Sequence, residues 1–184
     1  LDKTGQTASS DCISCASGKY SGAQGANAAT QCNPCAIGRY GDQSGRTSAD
    51  ECLNCAAGKQ GKQAGQSSQA DGCEDCSNGY YQNLPGVASC IACAAGYYQD
   101  QHARSDPSSC KPCAQGRFSG VPGLSDGTRC AECSVGRYND ELGQTSLVAG
   151  CKECDMGRYS ARQGVAQASE CIRCAEGRYP ASAG

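Results

Sequence analysis

Large apolar side chains are almost missing from this chain. Among 184 residues there is no Trp, one Phe (Phe118) and one Met (Met156), and Leu, Ile and Val together number 15. Aliphatics and Phe make up about 9%, well under the roughly 20% below which a chain cannot fill a hydrophobic core. A chain of this length ordinarily hides a large apolar surface, and this one has little to hide. Charge of one sign is missing too. Sixteen basic and 18 acidic residues give a net −2, evenly spread, so nucleic acid and anionic membranes find no electrostatic foothold. No apolar run approaches the ~18 residues of a membrane span. The one histidine, His102 in YYQDQHARSDPSSC, has no thiolate or Ser-Asp partner near it and reads as a solvated loop residue. There is no Asp-x-Asp-x-Asp series for calcium, no Gly-rich phosphate loop and no N-x-Ser/Thr acceptor. The expectation is a protein that is not an enzyme and takes no cofactor or metal.

What the chain has is cysteine, 18 residues or about 10%, above the level at which a short chain reads as a disulfide scaffold. The cysteines come as nine C-x-x-C pairs whose first members are Cys12, Cys32, Cys52, Cys73, Cys90, Cys110, Cys130, Cys151 and Cys171. Three residues after each second cysteine stands Gly (Gly18, Gly38, Gly58, Gly79, Gly96, Gly116, Gly136, Gly157, Gly177). Two further on comes an aromatic, Tyr20, Tyr40, Tyr81, Tyr98, Phe118, Tyr138, Tyr159 or Tyr179, with Gln60 in the third repeat. A second Gly follows ten residues after the second cysteine, replaced once by Ala103. Length varies only between that Gly and the next cysteine, the mark of an exposed loop. The first Gly calls for positive φ or a close chain approach. The aromatic is the one bulky group per repeat, expected to cover a neighbouring disulfide. The second Gly, among Ser, Gln, Thr and Asp, signals a turn.

Three chemistries use C-x-x-C. The spacing C-x2-C-x16-C-x2-C fits a four-cysteine zinc site, but nine equivalent pairs leave one over and nothing tells a pair which neighbour to choose. Thioredoxin-type redox chemistry needs one pair at a helix start in a βαβ setting, and no helical periodicity is present. A disulfide within each pair would close a tiny loop and shape nothing between pairs. Joining the second cysteine of one pair to the first of the next encloses the whole Gly-x-aromatic segment. The expected bridges are Cys15–Cys32, Cys35–Cys52, Cys55–Cys73, Cys76–Cys90, Cys93–Cys110, Cys113–Cys130, Cys133–Cys151 and Cys154–Cys171. Each would stabilise by roughly 3 kcal/mol in the chain-entropy model, while Cys12 and Cys174 would seek partners outside the segment.

The stretch CASGKYSGAQGANAATQC, Cys15 to Cys32, resembles the first, single-disulfide loop of tumour-necrosis-factor-receptor cysteine-rich modules. In tandem it is similar to the ephrin-receptor-like cysteine-rich repeats of large extracellular proteins, many from protists and algae. The resemblance spans the chain and implies the same loop-closing bridge. The crossed pair of further disulfides is lacking, and Ala, Ser or Asp stands where those modules carry Pro after the second cysteine. Ligand binding of the receptor kind is therefore not implied.

The expected fold class is small disulfide-rich repeats of short β-strands and turns, in an elongated linear array with little regular secondary structure. The expected boundaries are a partial repeat at 1–11, full repeats at 12–31, 32–51, 52–72, 73–89, 90–109, 110–129, 130–150 and 151–170, and a partial repeat at 171–184. Each repeat is expected to touch only its neighbours. Lys19, Arg39, Lys59, Arg117, Arg137, Arg158 and Arg178 precede the aromatic position. Their stems are expected over rings and their heads in water, or as a basic stripe meeting Glu51, Glu170 or Asp71 of a neighbour. Loops GRTSADE and GQTSLVAG are candidate O-glycan acceptors. The expected partners are further repeats of a longer array and other copies in a filament or other extracellular proteins. The expected role is an extracellular structural spacer or filament subunit of the flagellar-hair or cell-coat kind. The alternative is a receptor or adhesion ectodomain, for which repeats five to seven, with Tyr97, Tyr98, Phe118 and Val121, carry the most apolar surface. With so little apolar content, full reduction is expected to abolish the cooperative thermal transition, and calorimetry before and after reduction reads this out directly.

Overall fold

The computed structural model describes residues 12–25 and 28–178; Tyr179 lies outside them. Regular structure comes in very short pieces. Each repeat gives one two-stranded antiparallel sheet, eight in all among the described residues. In chain order the strands are β1 (Lys19–Tyr20), β2 (Asn33–Pro34), β3 (Arg39–Tyr40), β4 (Leu53–Asn54), β5 (Lys59–Gly61), β6 (Cys73–Asp75), β7 (Tyr80–Tyr81) and β8 (Ile91–Ala92), then β9 (Tyr97–Tyr98), β10 (Lys111–Pro112), β11 (Arg117–Phe118), β12 (Ala131–Glu132), β13 (Arg137–Tyr138), β14 (Lys152–Glu153), β15 (Arg158–Tyr159) and β16 (Ile172–Arg173). The first strand of each pair is the basic-aromatic dipeptide after the first Gly. The second lies inside or beside the next C-x-x-C, so that Tyr40 faces Leu53 and Phe118 faces Ala131.

Loop length decides what lies before the closing cysteine. Where the bridged cysteines are 17 apart the segment ends in a single 3-10 turn, as at Ala49–Glu51, where the Ser48 side chain accepts from the Asp50 amide. Where they are 18 apart the added residue widens that turn to one of α-helix, α1 (Gln69–Gly72) and α2 (Leu147–Gly150), capped by Ser68 and Ser146. The added residue ends on a buried Gly in both, and a Cβ on Gly72 or Gly150 would press on the Gln66 or Gln144 side chain. The 14-residue separation of Cys76 and Cys90 has no helical turn at all. Insertions and deletions are thus absorbed in one exposed turn.

The described residues form two compact bodies, one of residues 12–25, 28–76, 81–91 and 103–106, the other of residues 77–80, 92–102 and 107–178. Within each, successive repeats are tied by the same backbone hydrogen bonds. In the first body the Gly18 amide donates to Gly41 O (2.7 Å), the Ser21 amide to Arg46 O (3.0 Å) and the Gly45 amide to Cys15 O (2.8 Å). In the second, the Gly96 amide donates to Ser119 O, the Gln99 amide to Leu124 O and the Gly123 amide to Cys93 O, at 2.8–2.9 Å. The carbonyl of the first Gly then accepts from the second cysteine of the next C-x-x-C, as Gly96 O does from Cys113 N. Backbone polar groups that an apolar core would bury inside helices and sheets are here satisfied between loops.

Repeats do not touch only their neighbours. The first Gly of a repeat packs on the second-Gly turn two repeats on: Gly18 on Gly65, Gly38 on Gly86 and Val87, and Gly58 on Ala103 in the first body; Gly79 on Gly123, Gly96 on Gly143 and Gly116 on Gly164 in the second. A Cβ at the first Gly would fall on a backbone carbonyl, closer than real Cβ atoms approach one. At Gly96 both reasons for glycine hold together, φ +83° and no room. The buried apolar residues are mainly the cysteines themselves, joined by Leu124 and Val165.

These contacts separate two kinds of glycine. Gly96→Ala adds a backbone clash to an unfavourable φ and is expected to lower stability by about 3 kcal/mol or more. Gly45, whose Cβ would meet only the Ser14 side chain at 3.5 Å, is expected to lose about 1 kcal/mol from its φ alone on substitution by Ala. Denaturant melts of the oxidised variants, with amide exchange at Gly96 and Gly143, measure the difference.

Candidate functional site: the joints of the disulfide ladder

Each C-x-x-C is the joint between two closed loops. The bridges are Cys15–Cys32, Cys35–Cys52, Cys55–Cys73, Cys76–Cys90, Cys93–Cys110, Cys113–Cys130, Cys133–Cys151 and Cys154–Cys171, with Cα–Cα separations of 5.6–5.9 Å. Cys12, exposed, and Cys174, half-buried, belong to none of them. Loop lengths differ so little that the bridges' chain-entropy contributions differ by only about 0.2 kcal/mol. Exposure separates them instead. In Cys35–Cys52, Cys55–Cys73, Cys113–Cys130 and Cys133–Cys151 both residues are 5% exposed or less. Cys32, Cys90, Cys110 and Cys154 are each half-buried.

The aromatic position covers the next loop. Tyr98 packs on the cluster of Cys113, Leu124 and Cys130, with the Lys111 ammonium 6.0 Å from its ring centre. The Tyr40 Cβ lies against Gly72, next to Cys73. Tyr20, Tyr81, Phe118 and Tyr138 are half-buried, while Tyr159 is exposed. Gln60 does something else: its Oε1 accepts from the Cys90 amide at 3.0 Å and its Nε2 donates to Glu74 at 2.7 Å.

The basic residues before the aromatics do not simply hold their heads in water. In three strand pairs the register sets them opposite an acid, Lys59 opposite Asp75, Arg117 opposite Glu132 and Arg137 opposite Glu153. Ion pairs of 2.5–2.6 Å result. The other guanidinium nitrogen of Arg117 and Arg137 donates to the carbonyl of the closing cysteine, Cys130 or Cys151, at 3.1 Å, and Arg158 does the same to Cys171 at 2.8 Å. Arg39 donates to Asn54 Oδ1 and Ala49 O. The ion pairs are surface pairs of small value; the carbonyl contact fastens the loop's two ends.

One class of residue escaped the sequence reading. The residue after the aromatic is buried in repeats four to eight: Gln82, Gln99, Ser119, Asn139 and Ser160. Each side chain bonds its own loop, and Asn139 also reaches back to the preceding one. The Asn139 Oδ1 accepts from the Glu141 amide and its Nδ2 donates to Arg117 O, both at 3.0 Å. The Gln99 Oε1 accepts from the Gln101 amide and its Nε2 donates to Ser109 O at 2.6 Å. The Ser119 and Ser160 hydroxyls accept from amides two residues on. Repeats two and three carry Gly41 and Gly61 at this position, where a Cβ would press on the preceding repeat's first Gly. The identity changes from Gln to Ser to Asn, so no motif shows; the shared property is a short-range hydrogen-bonding group.

Carboxylates of the turns are held in their charged form. The Thr47 hydroxyl and amide donate to Glu51 and keep its carboxyl below the usual range, and Thr128 does the same for Asp126. Lys152 lowers Asp140 and is itself raised by Asp140 and Glu141. The stability the carboxylates add is present above their ordinary values and is lost as pH falls through the lowered ones.

His102 is exposed. Among the described residues no group of three His, Cys, Asp or Glu is placed to hold a metal ion, and no helix is long and apolar enough to cross a membrane. The sequence and the ladder make the chain a cysteine-rich tandem repeat. No protein family matches the chain, and no curated protein is significantly similar to it. The buried polar class can be checked at one residue. Asn139→Ala strands the Arg117 carbonyl and the Glu141 amide and is expected to lower stability by about 2 kcal/mol, with amide exchange rising at Glu141.

Proposed function

We propose that the chain is part of an extracellular structural protein, a spacer or filament subunit that carries load and resists proteolysis and has no catalytic role of its own. The observation that carries this reading is that the recurrent residues are used by the array itself. Cysteines close the loops, the first glycines receive turns two repeats on, Tyr98 covers the next bridge, and arginines fasten loop ends. Every loop is held covalently at its base and by backbone bonds to the loops beside it, which favours a chain that resists local opening. A ladder of eight disulfides persists in an oxidising compartment, which favours the cell exterior.

The single-bridge loop with Gly-x-Tyr supports assignment to the ephrin-receptor-like and tumour-necrosis-factor-receptor-like cysteine-rich type, in its tandem form. The partners are further repeats of the same kind and other copies in a filament or cell coat, with O-glycans on turns such as the one bearing Thr47 and Ser48. Neither nucleic acid nor a membrane surface is a partner of this balanced, unpatched charge distribution. Electron microscopy of the native material is expected to show filaments labelled along their length by antibody to the repeats. Isolated molecules labelled at a cell surface and clustered by a protein ligand would overturn the structural reading.

A further inference from the structure

Three departures from the repeat meet at one joint of the first body. Gln60 stands where other repeats put an aromatic ring, and its amide oxygen, rather than a ring face, meets the backbone of Cys90. The loop Cys76–Cys90 is the shortest, its cysteines 14 positions apart against 17 or 18 elsewhere, and no helical turn precedes Cys90. The Cys76 carbonyl accepts at 2.8 Å from the amide of Ala103, the only non-glycine residue at positive φ among the described residues (φ 57°). Such a conformation is unfavourable for a residue with a Cβ. In the same body Tyr40 lies beside the Cys73 end of its bridge, and Cys73 is sealed. Cys90 is half-buried while its partner Cys76 is fully buried. Local rules broken together at one place are the usual mark of a functional position.

We infer that Cys76–Cys90 is a thiol-exchange site, the bridge at which an external thiol enters the ladder. The thiolate of a low-molecular-weight thiol attacks Sγ of Cys90, the half-buried member of the bridge, its partner Cys76 being fully buried. A mixed disulfide forms on Cys90, the Cys76–Cys90 bond breaks, and the electron pair leaves on Cys76, which water protonates. A second thiolate attacking the external sulfur of the mixed disulfide releases Cys90. The protein gains two electrons and two protons, and two thiols become one external disulfide. The flanking loops keep their own bridges, so the reaction opens one joint and leaves the ladder on either side closed. Access governs such exchange, and Gln60 sets an amide against Cys90 where Tyr98 packs a ring on the sealed Cys113–Cys130 bridge.

The test uses the oxidised full chain in reduced glutathione, quenched at intervals with iodoacetamide and mapped by mass spectrometry. Cys76 and Cys90 are expected to be alkylated roughly tenfold faster or more than the cysteines of Cys35–Cys52, Cys55–Cys73, Cys113–Cys130 and Cys133–Cys151. Gln60→Tyr is expected to slow reaction at Cys76–Cys90 toward those rates and to leave Cys93–Cys110 unchanged. The order of reaction in the unsubstituted chain tests the inference by itself should Gln60→Tyr fail to fold. Reduction of all bridges at once with no single-bridge intermediate overturns it. So does any other bridge, sealed or half-buried, that reacts as fast as Cys76–Cys90, or a folded Gln60→Tyr that reacts at the original rate.

Discussion

Everything in this molecule depends on covalent closure of the loops, because there is nothing else to close them. Each bridge spans about one repeat and removes about 3 kcal/mol of chain entropy from the unfolded state. That is a large contribution where, among the described aliphatics, only Leu124 and Val165 are buried. Closure also brings the first Gly of one loop within hydrogen-bonding reach of the next, as Gly18 is of Gly41. The short strands are therefore a consequence of the bridges. Two or three residues per strand are too few to hold an isolated hairpin in water.

Secondary interactions refine what closure begins. Arginine heads on the carbonyl of the closing cysteine, and Ser, Asn or Gln side chains turned back on their own loop, replace the packing that aliphatic residues supply elsewhere. Each is worth about 1 kcal/mol, and each recurs from loop to loop. The interior is thus built of sulfur and hydrogen bonds, and its buried polar groups are largely satisfied within one or two loops.

The short strands, the turns and the ladder were legible because the same residues recur nine times, and recurrence of Gly, Tyr and Cys narrows the backbone at each. What was not legible has physical reasons. The contact of Gly18 with Gly65 is hidden because every repeat carries both glycine types, and a sequence with one repeat length cannot distinguish contact with the next turn from contact with the one after. The buried polar class is hidden because Gln82, Ser119 and Asn139 do one job with three side chains. The heads of Arg117 and Arg137 were placed in solvent because the acids they meet, Glu132 and Glu153, lie across a strand pair whose register is set by the bridge. Gln60 and Ala103 stood out in the sequence as exceptions, and only the fold puts both beside Cys76–Cys90.

The next-but-one contact of the glycines bears on how such a chain changes length over generations. Every repeat offers the same groove and the same turn, so excision or duplication of a whole repeat brings a new turn against an old groove with no change of fit. A frame-preserving loss of part of a repeat is tolerated only in the turn before the closing cysteine, where Cys76–Cys90 shows three residues removed. Unequal recombination between repeats would thus yield foldable products when its endpoints differ by whole repeats. Copy number is the one dimension in which this architecture is free to drift.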